Sequence, residues 1–177
     1  DEANGSIVID NGPARNLAVL RGMASLNSGK FGKALNLGGT GDYAEIPKFR
    51  GIYSDGDFTL STWVKLAGLG TTSDADDAGI FCRSGSGNDS VLLWYNVNGS
   101  STGNRTFTFN VGNTGTNVNR LDGPDNIAQV GIWHHVGSVM NGDERFLYID
   151  GKRVGHMPIG TSSTIRMEGS SVRIGSW

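Results

Sequence analysis

His134 and His135 are the first residues in this sequence whose types could bind a metal or move a proton. They follow Trp133 in a stretch that reads as a strand. Adjacent side chains on a strand point to opposite faces, so the two rings cannot share one ion, and both are expected to be structural. Asp74, Asp76 and Asp77 form an acidic loop flanked by glycine. A helix-loop-helix calcium site would need a carboxylate at the twelfth position, and counted from Asp74 that position is Gly85. Gly85-Ser86-Gly87 is a turn with no helical pattern behind it, so no serine nucleophile elbow is expected there. What the chain does supply is the chemistry of sugar recognition, in which aromatic faces meet C–H surfaces and amides meet hydroxyls. Trp94, Tyr95, Trp63, Tyr53 and Trp177 are candidate platforms, and Asn96, Asn98, Asn113, Asn117 and Asn119 flank them. In 91–96 neither alternate set of side chains is polar, so Trp94 or Tyr95 can face away from the core. Trp94, Tyr95, Asn96 and Asn113 are therefore the expected ligand contacts, while Trp133 is expected in the core.

These residues need a frame, and composition limits it. The 177 residues include 28 glycines, over twice the usual ~7%, but only 4 prolines. The glycines recur singly between short apolar runs, where they serve as turns. Net charge is -2, with a sequence pI near 5.9. No basic stripe is present to replace phosphate counterions, which argues against nucleic acid or an anionic membrane as main partner. No apolar run approaches the ~18 residues of a spanning helix, so no membrane insertion is expected. Cys82 is the single cysteine, excluding an intrachain disulfide and a thiolate zinc site; an inert buried thiol is expected.

The dominant period is two. Phe107, Phe109 and Val111 share one phase, against Thr106, Thr108 and Asn110. Phe58, Leu60, Val64 and Leu66 share another, but Trp63 breaks that pattern by placing an indole on the polar face. Further strands are expected at 18–21, 34–37, 43–46, 80–83, 91–96, 133–140, 145–149 and 172–175. Asp150-Gly151 between two of these runs is a two-residue hairpin turn. The stretch 112–126 reads as one long loop on the rim. Many short strands, glycine turns and no helical period indicate an all-β, two-sheet antiparallel sandwich or jelly roll.

Several segments, in order, resemble the laminin-G-like, concanavalin-A-like lectin/glucanase jelly-roll superfamily. They are 29–37 (GKFGKALNL), 41–47 (GDYAEIP), 57–65 (DFTLSTWVK), 133–136 (WHHV) with 147–152 (LYIDGK), and 172–175 (VRIG). The resemblance implies one domain over 1–177, with two packed sheets of about six or seven strands each. It also implies a final Gly-x-Ile-Asp-Glu-Val strand that this sequence lacks, which truncation, proteolysis or a strand supplied by a neighbour would each explain. The sequence opens Asp-Glu-Ala-Asn with no initiator Met and no apolar signal segment, so either a signal was removed or, as expected here, the domain is excised from a larger secreted or surface protein. Glucanases of this architecture carry Glu-x-Asp-x-x-Glu on one strand, placing two carboxylates ~5 Å apart. No such triplet occurs here, so no enzyme activity and no catalytic residue is expected. Laminin-G and neurexin-type domains hold calcium at the sandwich rim. By that resemblance Asp89 is the side-chain ligand, Val111 the carbonyl donor and Glu168 a substitute for the usual late-loop Asn. Such oxygen ligands suit Ca²⁺ as cofactor.

The expected function is a non-catalytic carbohydrate-binding module of an extracellular or cell-surface protein. Its partner would be a polysaccharide or glycoconjugate, with calcium assisting. The alternative is a protein–protein adhesion module that meets a protein surface, or a structural spacer.

Overall fold

The computed structural model describes residues 2–4, 7–39, 41–50, 57–68, 78–83, 90–96, 105–112, 120–158 and 171–176. Among them all regular structure is strand. The chain runs β1 (Glu2–Asn4), β2 (Ile7–Ile9), β3 (Leu17–Arg21), β4 (Ser25–Ser28), β5 (Lys33–Asn36), β6 (Tyr43–Ile46), β7 (Phe58–Lys65) and β8 (Ala78–Arg83). It continues through β9 (Ser90–Asn96), β10 (Thr106–Gly112), β11 (Arg120–Asp122), β12 (Trp133–Asn141), β13 (Glu144–Ile149), β14 (Lys152–Pro158) and β15 (Val172–Ile174). Nine strands form one sheet in the order β1-β2-β3-β6-β15-β8-β9-β10-β11, and four form another in the order β14-β13-β12-β7. The β4-β5 hairpin stands apart. The all-β antiparallel sandwich is as expected, but the division is nine and four rather than six or seven each.

Strand alternation builds the core. Val91, Leu93 and Tyr95 of β9 and Phe107, Phe109 and Val111 of β10 are all buried on the inner face of the larger sheet. Val136, Leu147 and Ile149 meet them from the smaller sheet. Each such side chain contributes roughly 1.5–3 kcal/mol on burial. Arg145 shares the inner phase of Leu147 and is fully buried; its Nη2 donates to the Pro158 carbonyl at 3.3 Å, and burial lowers its pKa. Nothing in the sequence signalled that buried cation.

The Asp150-Gly151 turn forms as expected. Both residues have positive φ (51° and 79°), the conformation a tight two-residue hairpin requires. The stretch 112–126 is not a single loop, because β11 lies within it and pairs with β10 through Phe109↔Leu121. Its Arg-Leu-Asp carries one apolar residue, too few to show a period. Cys82 is buried and unpaired, and burial pushes its thiol up to about 12, consistent with an inert role.

Candidate functional site

The residues expected to contact ligand divide between two environments. Tyr95 points into the core and is 2% exposed. Trp94 does face the other way, onto the outer side of the larger sheet, yet it is only 4% exposed. It clusters there with Cys82 and Leu92, and the Arg120 guanidinium lies 5.3 Å from its ring centroid. Asn96 is fully buried. The expectation of an open platform at Trp94, Tyr95 and Asn96 is thereby corrected. Alternation gives the face a side chain takes, not whether that face is covered. Asn113 lies outside the described residues, as do Tyr53, Asn98, Asn117, Asn119 and Trp177.

Trp133 is corrected in the opposite sense. It is half-buried on the outer face of the smaller sheet, with Lys65 Nζ 5.1 Å from its ring centroid. The alternation of β7 explains why. Phe58, Leu60, Thr62 and Val64 turn inward, leaving Thr59, Ser61, Trp63 and Lys65 exposed. The register Trp63↔His135 and Lys65↔Trp133 puts both tryptophans on that same outer face. Trp63 is 38% exposed, and the indole that broke the sequence pattern is the centre of this surface.

Its surroundings hold it in place. Phe31, 73% exposed at the tip of the β4-β5 hairpin, meets Trp63 edge-on at 5.9 Å between centroids. His135 lies on another side at 5.2 Å, and Lys30 Nζ sits 5.2 Å from the ring centroid. Ser61 Oγ and His135 Nε2 share a hydrogen bond of 2.8 Å, which fixes the imidazole beside the indole. An exposed aromatic flanked by a hydroxyl, an imidazole and an ammonium can stack on a sugar C–H face while bonding its hydroxyls. Sequence reading separated His134 from His135 correctly but missed Phe31, Lys30 and His135 as neighbours of Trp63. Those contacts depend on strand register and on the placement of the hairpin.

One aspartate positions the edge of this face. Asp150 Oδ1 accepts from the His135 main-chain N–H at 2.9 Å, and Oδ2 accepts from His134 Nδ1 at 2.8 Å. His134 Nε2 accepts the Gln129 N–H at 3.3 Å, so its proton is on Nδ1. Burial alone would raise the Asp150 pKa, but the His134 hydrogen bond and the His135 N–H outweigh it and lower it below the usual 3.8. A lowered carboxylate pKa stabilises the fold above ~3.8, and that contribution is lost as pH falls through the folded value. Asp150→Asn should therefore lower the melting temperature at pH 7, while the difference from wild type narrows below pH 3.8. Melting curves at pH 7, 5 and 3 check this.

For the calcium reading, the described part of the rim is the strand ends. Gly112 pairs with Ser90, so the end of β10 at Val111–Gly112 stands beside the start of β9. Asp89 and Glu168 lie outside the described residues. Among the described residues no group of three or more His, Cys, Asp or Glu could hold a metal. A depression of about 340 Å³ lies among Gly22, Met23, Gly38, Gly39, Gly41 and Asp42. Its carboxylate is already engaged: Asp42 accepts from the N–H groups of Met23 (2.7 Å) and Gly38 (2.8 Å).

Comparison with known proteins places the fold. No curated protein matches the chain in sequence. Among solved structures, domain 4 of an extracellular arabinanase from Geobacillus stearothermophilus, in complex with arabinotriose, is similar at 18% identity and TM-score 0.61. The match covers 88% of this chain and 67% of that one. The binding domain of botulinum neurotoxin serotype D is similar at 16% identity and TM-score 0.71, covering 94% of this chain and 40% of that one. The binding domain of Paraclostridial Mosquitocidal Protein 1 is similar at 14% identity and TM-score 0.67, covering 98% and 46%. The chain thus spans less than half of either toxin domain, and at these identities the likeness is one of fold. A profile described as the concanavalin A-like lectin/glucanases superfamily matches residues 38–176. With that match over most of its length, the chain belongs to the concanavalin A-like lectin/glucanases superfamily.

Proposed function

We propose that this chain is a non-catalytic carbohydrate-binding module of an extracellular or surface protein, and that it holds a polysaccharide or glycoconjugate on the outer face of the four-stranded sheet. The observation that carries this reading is Trp63, 38% exposed and ringed by Phe31, His135 and Lys30. A large indole left at the surface offers a flat apolar face to a sugar's C–H surface, with polar groups beside it for the hydroxyls. The fold supports the reading, because the similar solved domains include one in complex with arabinotriose and others described as binding domains. The chain lacks the Glu-x-Asp-x-x-Glu carboxylate strand of the superfamily's hydrolases, which supports a module without catalysis. A glycan array probed with the intact chain tests the reading. Retention of a related set of glycans supports it, and an empty array refutes it.

Calcium at the rim is part of this proposal. It is supported by the adjoining ends of β9 and β10, with Asp89, the Val111 carbonyl and Glu168 as the oxygen donors. Few protein ligands imply an affinity of ~10⁻⁴–10⁻³ M, which at millimolar calcium adds roughly 0.5–1.5 kcal/mol. The melting temperature should then rise by ~1–6 °C between EDTA and millimolar calcium. Asp89→Ala should abolish that rise. Identical wild-type melts in the two buffers would remove calcium from the account.

A further inference from the structure

We propose that the Trp63 face selects polysaccharides carrying anionic groups, with Lys30 and Lys65 reading the charge and Trp63 stacking on the sugar. This rests on the reading of that face as a carbohydrate site and names the class of ligand it takes.

The whole chain is slightly acidic, at net charge -2, but this face is not. The outer positions of β7 are Thr59, Ser61, Trp63 and Lys65, and those of β12 paired with them are Val139, Gly137, His135 and Trp133. None is a carboxylate. Of the acids at its edges, Asp150 has both oxygens committed to His134 and to the His135 main chain, and Asp57, just before β7, accepts the Gly142 N–H at 2.6 Å. Farther across the sheet the one outer acid of β13, Glu144, is paired with His156 at 3.2 Å, and Arg153 lies 5.9 Å from the Phe146 ring centroid. Lys30 and Lys65 make no ion pair among the described residues.

Each lysine instead rests on an indole, Lys30 on Trp63 and Lys65 on Trp133. An exposed cation–π contact is weak, so either side chain can swing to a stronger anion at little cost. The arrangement therefore sets two ammonium groups, without an ion pair among the described residues, beside two aromatic surfaces on neighbouring strands. A ligand matching both must offer C–H faces for the rings and a negative group at the sugar's edge for the lysines. Uronic-acid and sulfated polysaccharides have that chemistry, whereas a neutral glycan would leave the charges unused.

Isothermal titration of the full chain tests this with four probes: polygalacturonate (carboxylate), dextran sulfate (sulfate), linear arabinan (neutral) and poly-L-glutamate (a polyanion without sugar rings). The expected result is affinity for at least one anionic polysaccharide at least tenfold above that for arabinan, with the better of the two identifying the anion read. The double variant Lys30→Met, Lys65→Met should lose that tenfold advantage while keeping the wild-type melting temperature. Raising NaCl from 50 to 500 mM should weaken the anionic complex selectively. Arabinan bound as tightly as both anionic polysaccharides would overturn the charge selectivity and leave the carbohydrate reading standing. Poly-L-glutamate bound as tightly as the anionic polysaccharides would reduce the face to a simple attractor of polyanions, which also overturns it. No binding to any of the three polysaccharides would overturn the charge selectivity, and only an empty glycan array beside it would overturn the carbohydrate reading as well.

Discussion

Trp63→Ala should abolish polysaccharide binding while the fold survives. The indole stands on the outer face of β7 and is 38% exposed, so its removal opens no cavity in the core. Among the described residues its contacts with Phe31, His135 and Lys30 are lost, at a cost of about 1–3 kcal/mol and a fall of roughly 2–12 °C in melting temperature. As the central anchor of a small site it should carry ~2 kcal/mol or more of binding, a loss of roughly 30-fold or greater. Titration calorimetry and differential scanning calorimetry on the same sample separate the two effects. Unchanged affinity would move the site elsewhere.

Trp94→Ala should do the reverse. Trp94 also faces away from the central core, but it is 4% exposed, packed with Cys82 and Leu92 and covered by Arg120. Truncating a buried aromatic leaves a cavity, at a cost of about 3–5 kcal/mol. For a chain of this length that lowers the melting temperature by roughly 6–20 °C. Thermal melts followed by far-UV circular dichroism check this. A wild-type melt would return Trp94 to the surface and reopen the larger sheet as a ligand platform.

The contrast between these two tryptophans marks how far the sequence could be read. Alternation in Phe107, Phe109 and Val111, and the Asp150-Gly151 turn, made the sandwich legible, since both signals are local. Trp63 was legible as an anomaly, an indole in a polar phase, which is also why it lies at the surface. What alternation cannot report is which outer face is covered. Trp94 reads as a candidate platform and is buried, whereas Trp133 reads as core and lies half-buried on an outer face. The Phe31–Trp63 contact joins residues from two separate sheets, and the Ser61–His135 bond joins strands 74 positions apart. No periodicity reaches across such distances. The β11 strand escaped because three residues with one apolar member carry no pattern.

The most direct test of a carbohydrate site at Trp63 is the set of indole N–H signals in a ¹H–¹⁵N spectrum, assigned through single tryptophan-to-phenylalanine variants. Titration with the best-bound polysaccharide should shift or broaden the Trp63 signal first, with Trp133 following and Trp94 unmoved. A Trp94 signal that responds while Trp63 stays fixed would contradict the account and place the ligand on the other sheet.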